Sequence, residues 1–223
     1  MNYDETIEYI HSTPKFARVL GNTLLRRLLS KMDNPQKKLK FIHIAGTNGK
    51  GSCAVMLAEI LKLCGLRTGL FTSPYIIRFN ERIRVNGEQI PDARLAETAS
   101  EIKNIIDENN VPVSEFALDT AIAFKYFADE KCDIVILETG LGGRLDATNV
   151  IASPIVSIIM SVGFDHMQYL GNTISAITTE KCGIIKNNRP VVVYPDLPDE
   201  ALAGYKTLLQ KQKCGIYSSR YAD

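Results

Sequence analysis

The stretch HIAGTNGKGS at positions 43–52 follows directly on the apolar residues Phe41 and Ile42. An apolar run, a glycine-rich segment and a helix-forming segment in this order predict a buried strand, a tight turn and the start of a helix. Such a turn points several backbone N–H groups into one space at a helix N-terminus, where they can bind an anion. The stretch therefore predicts a phosphate-binding loop.

The side chains of this loop suit a nucleoside triphosphate that is bound together with magnesium. Lys50 supplies a positive charge, and the hydroxyl of Ser52 can ligate a metal ion. The loop departs from the common G-x-x-x-x-G-K-[ST] pattern, because Ile44 replaces the first glycine and Gly51 separates the lysine from the serine. Glycine and asparagine are also ordinary turn residues, so a plain turn is the alternative. We expect ATP and Mg²⁺ as the ligands.

Composition narrows the class of protein. The 223 residues are 45% hydrophobic and carry a formal net charge of +1, which provides no broad electrostatic footprint for nucleic acid or membrane. No apolar run reaches the roughly 18 residues of a membrane helix. The polar, acidic N-terminus does not resemble a signal peptide. Five cysteines without a C-x-x-C pair suit reduced thiols, so we expect a cytoplasmic protein. We also expect a monomer.

Strand and helix patterns alternate along the chain. Continuous Val/Ile runs that are separated by helices predict a mostly parallel sheet flanked by helices, an α/β fold in a single domain over 1–223. After residue 187 the pattern predicts a strand, a proline-rich turn, a helix and a polar end. The expected helices lie near 4–10, 16–31, 51–64, 93–108 and 118–130, and the expected strands near 41–44, 68–72, 133–138, 155–160 and 191–194.

Two further strand ends carry polar residues. Glu138 closes the run DIVILE, and Asp165-His166 follow the run IVSIIM. Ligands of open α/β sheets bind at the carboxyl ends of the strands, so these groups should lie near the phosphate loop. A carboxylate is a hard ligand for magnesium, and a histidine can complete a metal site or move a proton. A solvated turn acid and a helix cap are the respective alternatives.

Four segments together resemble one enzyme family. They are HIAGTNGKGS (43–52), LFTSPYIIRFNERIRVNGEQI (70–90), ILETGLGGRLDATNV (136–150) and SVGFDHMQYLGNTISAITTEKCGIIK (161–186). In this order they resemble the N-terminal ATP-binding domain of folylpolyglutamate synthase / dihydrofolate synthase, in the Mur ligase superfamily. The resemblance implies a P-loop NTPase-like Mur ligase central domain.

The resemblance also implies roles for individual residues. It assigns phosphate binding to Thr47, Asn48, Gly49, Lys50 and Gly51, and magnesium binding to Ser73, Glu138 and His166. Without it, Ser73 reads as a turn or cap residue. The lysine that matches Lys181 is carbamylated in these ligases, whereas Lys181 taken alone reads as a solvated helix residue. A carbamate would replace a cation that magnesium repels with an anion that supports its ligands. Lys50, Lys181 and His166 are the catalytic candidates.

The expected substrate contacts are Phe116, Ala117 and Leu145. Phe116 can stack on a flat pterin ring. Ala117 stands where the family pattern S-x-F-E-x-x-T-x-x-A-F has an acid, and Glu115 or Asp119 are candidates to compensate. For Arg144 and Asp146, two interpretations stay open: ligand binding, or a salt bridge that holds their own loop.

The implied reaction joins L-glutamate to dihydropteroate or folate, with ATP activating the carboxylate as an acyl phosphate. Members of the family are about twice as long and carry a C-terminal Rossmann-like domain that binds glutamate and adenine. That domain is absent from these 223 residues. We therefore expect a fragment that binds nucleotide phosphates weakly and lacks ligase turnover. The alternatives are a Mur-type ligase domain for another substrate and a non-catalytic nucleotide-binding module.

Overall fold

The protein is built on one eight-stranded sheet. The structure, a computed structural model, describes residues 1–15, 21–202, 205 and 214–217. The strand order is β4-β3-β2-β5-β1-β6-β7-β8. Six strands from β2 to β8 run parallel, and β3 and β4 add an antiparallel edge. The strands are β1 Phe41–Ala45, β2 Thr68–Phe71, β3 Ile83–Val85, β4 Glu88–Gln89, β5 Ile134–Glu138, β6 Val156–Ile159, β7 Val191–Val193 and β8 Ile216–Tyr217.

Seven α-helices lie wholly within the described residues and surround the sheet, with short 3₁₀ turns at Pro35–Lys38, Phe79–Arg82 and Ala147–Val150. Hydrophobic residues at helical spacing explain most of them, because such a helix buries one apolar stripe. The exception is α5, which is buried on nearly all sides from Ala117 to Phe127. The helices are α1 Tyr3–Ser12, α2 Thr23–Lys31, α3 Lys50–Leu63, α4 Asp92–Asn109, α5 Glu115–Asp129, α6 Met167–Leu170 and α7 Ile174–Cys182.

The two faces of the sheet carry separate cores. On one face, which we call the α3 face, Ile42, Ile44 and Ile136 pack beneath α3. On the other face, a large core joins α1, α2, α4 and α5 to Phe41 and Phe71, and a second core joins α7 to Val191. Alternate residues of each strand point to opposite faces, which is why the central strands are apolar throughout.

The expected mostly parallel sheet flanked by helices is confirmed. The predicted helix at 93–108 is α4, and the predicted helix at 118–130 is α5, which begins three residues earlier at Glu115. Residues 16–20 of the predicted helix 16–31 and most of the predicted C-terminal helix lie outside the described residues. The antiparallel pair β3–β4 and the edge strand β8 were not predicted, because two- and three-residue strands carry too short a pattern.

Two further observations concern the environment of the chain. No described helix combines the length and the apolarity that a bilayer crossing requires. No disulfide joins the five cysteines, and Cys132 and Cys182 are buried in the two cores.

Gly69 in β2 allows α5 to pack closely on the sheet. A methyl group at this position would lie 2.9 Å from the Phe127 ring and 3.1 Å from Val135. We predict that Gly69→Ala lowers the free energy of unfolding by about 1–3 kcal/mol, the usual cost of overpacking a core. Urea denaturation measures this. Gly163→Ala is the control, because its methyl group would meet no atom within 4 Å. Equal stability of the two variants would contradict the prediction.

Candidate functional site

The segment after β1 forms the predicted tight turn. α3 begins at Lys50, directly after Gly49, whose φ of 82° lies in the left-handed region that glycine adopts without strain. Gly46 lies against the strand end of β6, since a Cβ atom there would be 2.6 Å from the Cβ of Met160. Both glycines are therefore required by the backbone path, and the N-terminus of α3 faces the carboxyl edge of the sheet.

Hydrogen bonds to the loop after β6 hold this turn in place. The Thr47 N–H donates to the Ser161 carbonyl at 2.7 Å, and the Thr47 hydroxyl donates to the Gly163 carbonyl at 3.1 Å. The Asn48 N–H donates to the Ser161 hydroxyl at 3.2 Å. The Lys50 ammonium donates to the Thr47 carbonyl at 3.2 Å. The first N–H groups of a helix have no partners within the helix, so this fixed loop can bind a phosphate group.

Glu138 lies beside the loop, as its place at the end of β5 predicts. It is 3% exposed, and its carboxylate accepts a hydrogen bond from the Ser73 N–H at 3.0 Å. A Cβ atom on Gly51 would lie 3.6 Å from the same carboxylate. Burial raises the pKa of Glu138, while the Ser73 N–H and the charge of Lys50 act to lower it. The alternative of a solvated turn acid is wrong.

Lys181 is buried as well. It is 2% exposed on α7, so the alternative of a solvated helix lysine is wrong. Burial lowers the pKa of Lys181 to about 8; the positive charge of Lys50 lowers it further, and the negative charge of Asp165 acts in the opposite direction. A substantial share of this amine is therefore neutral at mildly alkaline pH, whereas a surface lysine stays protonated.

A cavity of about 600 Å³ connects the phosphate loop with the expected substrate contacts. Lys50, Ser73 and His166 line it together with Phe116 and Leu145. The structure thus brings five of the predicted site residues to one space. The wall also includes residues that the sequence did not single out, among them Lys15, Asn22, Arg82, Tyr169 and Glu180.

Eight predicted site residues are not part of this wall: Thr47, Asn48, Gly49, Gly51, Ser52, Ala117, Glu138 and Lys181. Ala117 is 8% exposed and packs into the core under α5, so its methyl group faces the protein interior. Ser52 is exposed on the first turn of α3. Gly49, in the loop that precedes α3, is also exposed. Ala117 is thus buried next to the cavity wall, whereas Gly49 and Ser52 are exposed at the loop surface.

Phe116 owes its position to two close neighbours. Its ring lies 5.7 Å from the ring of Phe71, centre to centre. A Cβ atom on Gly140 would lie 2.6 Å from the Phe116 ring, so the loop after β5 passes directly over it. Leu145, from the same loop, is 45% exposed. An aromatic ring and an aliphatic side chain therefore form an apolar part of the cavity wall.

Arg144 and Asp146 hold the loop after β5. The Arg144 guanidinium donates to the Glu180 carboxylate at 2.7 and 3.0 Å. The Asp146 carboxylate accepts from the Leu141 N–H at 2.8 Å and from the Thr148 N–H at 3.0 Å. These contacts agree with the interpretation that the two residues hold their own loop. Asp146 also lines the cavity.

His166 is the N-cap residue of α6, with φ 47° and ψ 37°, a left-handed conformation that is uncommon for a residue with a side chain. Its side chain is 53% exposed, and its Nε2 lies 3.7 Å from the Asp165 carboxylate. It makes no capping hydrogen bond, so the helix-cap alternative fails for its side chain. The imidazole borders the cavity and is available to a ligand.

The sequence analysis did not single out the pairing of Arg82 with Asp119. The Asp119 carboxylate is 1% exposed and lies 3.8 Å from Nε of Arg82, which lines the cavity. Among the described residues, Arg82 Nε, Arg82 Nη1 and Asp119 Oδ1 are buried without a hydrogen-bond partner. The Arg82 guanidinium also lies 5.1 Å from the Tyr75 ring. The sequence signal that could have predicted this pair is Asp119 itself, an acidic residue in the middle of the apolar helix α5.

Residues 44–220 match the family described as the Mur ligase middle domain. The chain belongs to this family. Folylpolyglutamate synthase of Lacticaseibacillus casei is 43% identical over 206 residues, which cover 90% of this chain and 48% of that protein. Dihydrofolate synthase/folylpolyglutamate synthase of Bacillus subtilis is 43% identical over 203 residues, which cover 88% and 47%. The chain spans about half the length of these curated relatives.

Solved structures agree with the Mur ligase middle-domain fold. A structure described as the FPGS-AMPPCP-folate complex matches with a TM-score of 0.94 at 40% identity, covering 98% of this chain and 54% of that one. A structure of Escherichia coli FolC in complex with DHPP and ADP has a TM-score of 0.88 at 28% identity, covering 98% and 51%. The expected family and fold are confirmed.

The buried acid of this Mur ligase domain should make its stability depend on pH. Burial raises the pKa of Asp119 to about 7; the charge of Arg82 opposes the shift, and that of Glu115 adds to it. The folded state thus binds a proton that the unfolded state releases near pH 4, so this group lowers stability as pH rises from 4 to 7.

We predict that Asp119→Asn removes this loss. The unfolding free energy of the variant relative to the natural protein should rise by roughly 1–3 kcal/mol between pH 5 and pH 8, measured by urea denaturation. Asp129→Asn, at an exposed position near the end of the same helix, is the control. Parallel pH curves for the natural protein and Asp119→Asn would contradict the assignment.

Proposed function

We propose that this chain is the nucleotide-binding half of an ATP-dependent ligase that joins L-glutamate to the carboxylate of dihydropteroate or folate. One observation carries the proposal: the phosphate loop and a partly aromatic cavity of about 600 Å³ share Lys50 as a wall residue. A phosphoryl donor at the loop would therefore face a flat acid in the cavity. The names of the matched relatives support this choice of substrates.

The loop would bind the phosphates of ATP. The N–H groups at the start of α3 point at the anion, and the Lys50 charge is added to the positive end of the helix dipole. Thr47 and Asn48 are tied to the loop after β6, so the loop does not need to be ordered when the nucleotide binds. This rigidity would favour phosphate positioning, which is most of the catalysis in phosphoryl transfer.

The residues present fit magnesium. Glu138 offers a buried carboxylate beside the loop, Ser73 a hydroxyl, and His166 an exposed imidazole at the same cavity. Among the described residues, no three His, Cys, Asp or Glu side chains cluster closely enough to hold a metal alone. Magnesium commonly uses one or two carboxylates and completes its shell with water and phosphate oxygens. When bound, Mg²⁺ would neutralise charge that develops on the transferred phosphoryl group.

Lys181 would serve this site as a carbamate. Carbamylation requires a neutral amine, and burial together with the nearby Lys50 charge lowers the pKa of Lys181 to about 8. The product is an anion, and its charge would be offset by Lys50 instead of repelled by it. The family resemblance supplies the modification, and the burial of the amine supports it.

The reaction would proceed in two steps. The substrate carboxylate accepts the γ-phosphoryl group of ATP, with Lys50 offsetting the developing negative charge, and ADP leaves. The amine of glutamate then adds to the acyl phosphate, and phosphate departs as the amide forms. Phe116 and Leu145 would hold the flat part of the acid, so that its carboxylate meets the phosphate loop.

The proposal also covers the domain organisation, the partners and the cellular location of the protein. We propose that residues 1–223 act as one ATP-binding domain and that the glutamate-binding domain of the relatives supplies the rest of the site. The substrates are small molecules. A formal net charge of +1 favours a protein without a nucleic-acid or membrane partner, and cysteines without disulfides suit the cytoplasm. We propose that the protein is a monomer.

The nucleotide site makes a direct prediction. Lys50→Ala should weaken binding of a non-hydrolysable ATP analogue with Mg²⁺ at least tenfold, because the charge beside the phosphates is lost. Isothermal titration calorimetry of the 223-residue protein measures this. Lys62→Ala is the control, since Lys62 lies near the far end of the same helix and is paired with Glu59. An equal loss in both variants would contradict a phosphate role for Lys50.

Carbamylation can be observed by spectroscopy. We expect ¹³C-labelled bicarbonate to produce a carbamate resonance in the natural protein at pH 8, where much of the Lys181 amine is neutral. The resonance should vanish in Lys181→Arg, which keeps the charge but cannot form the carbamate. A resonance of unchanged strength in that variant would place the modification on another lysine.

Turnover tests the ligase assignment. We expect no glutamate-dependent ADP release from the 223-residue protein with ATP and dihydropteroate, because the relatives use about twice this length. Dihydropteroate should nevertheless bind in the presence of the ATP analogue, and a UDP-linked peptidoglycan precursor should not compete with it. Robust turnover would show that this half suffices, and competition by the precursor would favour a ligase for another substrate.

A further inference from the structure

Arg82 carries a guanidinium group whose hydrogen-bonding capacity the described residues do not use. The side chain is 12% exposed. Its Nε and Nη1 atoms are buried, and neither has a hydrogen-bond partner among the described residues. The carboxylate of Asp119 lies 3.8 Å from Nε, which is beyond hydrogen-bonding distance. Nearly all buried polar groups of native proteins are paired, so a guanidinium in this state calls for a further partner.

The backbone brings Arg82 to the strand end that precedes Ser73. The Arg82 carbonyl accepts a hydrogen bond from the Thr72 N–H at 3.0 Å, and the next residue, Ile83, pairs with Phe71 of β2. The antiparallel pairing of β2 and β3 therefore places Arg82 beside the segment that continues into Ser73. Both residues line the cavity.

The charge of Arg82 also reaches the phosphate-loop end of the cavity. Burial raises the pKa of Glu138, and the charges of Lys50 and Arg82 both act to lower it. Lys50 and Arg82 line the same cavity. Two cations therefore act on the region in which a phosphoryl group would be transferred.

Two aromatic rings and a fixed loop hold the guanidinium in place. It lies 5.1 Å from the centre of the Tyr75 ring and 5.8 Å from the centre of the Phe79 ring. The segment between these rings is tied to Glu81, whose carboxylate accepts hydrogen bonds from the N–H groups of residues 76, 77 and 78. A planar guanidinium that is held in this way presents its N–H groups in a fixed direction.

Asp119 offsets the charge of Arg82 only in part. Burial raises the pKa of Asp119 to about 7, although the charge of Arg82 opposes this shift. A carboxyl group with this pKa is about half protonated at neutral pH. An anion in the cavity would therefore gain both hydrogen bonds and charge attraction from Arg82.

We propose that Arg82 binds the carboxylate of the acid substrate, the group that receives the γ-phosphoryl group of ATP. The proposal rests on the proposed function, since it concerns the acid of that reaction. The forked N–H groups of a guanidinium match the two oxygens of a carboxylate. Arg82 would select acids over neutral compounds of the same shape, because a neutral group would leave the buried guanidinium without a charged partner.

Two ligands and two variants test the proposal. Dihydropteroate and its uncharged primary amide are titrated into the 223-residue protein together with a non-hydrolysable ATP analogue and Mg²⁺. In the natural protein we expect the acid to bind about tenfold more tightly than the amide, the effect of a charge-assisted hydrogen bond. In Arg82→Gln this preference should disappear, while the affinity for the amide changes little. Arg84→Gln is the control and should keep the preference. It removes the same charge two residues away, where Nε donates to the Glu81 carbonyl at 3.1 Å.

Two outcomes would overturn the role of Arg82 and leave the proposed function standing. One is an equal loss of acid and amide binding in Arg82→Gln, which would show that the residue only supports the structure. The other is an unchanged preference together with weaker binding of the ATP analogue, which would assign Arg82 to the nucleotide. If neither compound bound to the natural protein, the proposed function would fail, and this role of Arg82 would fail with it.

A measurement on the natural protein covers the case in which Arg82→Gln does not fold. In protein labelled with ¹⁵N-arginine, the Nε–H resonance of Arg82 is identified by its contacts with ring protons of Tyr75 and Phe79. We expect dihydropteroate to shift this resonance and to slow its exchange with water, and we expect the amide to leave it nearly unchanged. An equal response to both compounds, or no response to saturating dihydropteroate, would contradict the assignment.

Discussion

The pairing of β1 with β5 on one side and with β6 on the other determines where the functional groups lie. Ile44 pairs with Glu138 and with Ile158, so the three strands end at nearly the same level. The loops that follow them consequently meet at one edge. The Thr47 N–H reaches the Ser161 carbonyl, and the Thr139 N–H reaches the Ile44 carbonyl. A one-residue change in register would move the glutamate to the other face of the sheet and separate it from the phosphate loop.

Burial of charge is the second property of this edge. Glu138, Lys181 and Asp119 are each at most 3% exposed, and burial shifts the pKa of all three toward the neutral form. Buried charge without full compensation costs stability, and such groups concentrate at functional sites. The charge of Lys50 acts on both Glu138 and Lys181. Lys50 thus couples Glu138 and Lys181 electrostatically, whereas Asp119 responds to Arg82 and Glu115.

Much of the site could be predicted from particular residues. Glu138 and His166 were identified by their positions after apolar strands, and both lie at the expected edge. The burial of Ala117 could not be predicted from the family pattern, because it depends on how α5 packs in the core. The environment of His43 could not be predicted from the alternation of apolar residues along the strand. His43 is a buried histidine in the central strand that contacts the Thr148 hydroxyl at 2.8 Å, and burial lowers its pKa to about 3.

The sequence by itself determined the phosphate loop, the alternation of strands and helices, and the family, because glycine spacing and apolar periodicity are local properties of the backbone. Only the tertiary structure decided that Lys181 is buried, that Arg82 lies near Asp119, and that no helix of the described residues covers the α3 face from β6 to β8. Burial and ion pairing depend on residues that are far apart along the chain. The open face depends on the direction of each crossover, which follows from the strand order and not from any local pattern.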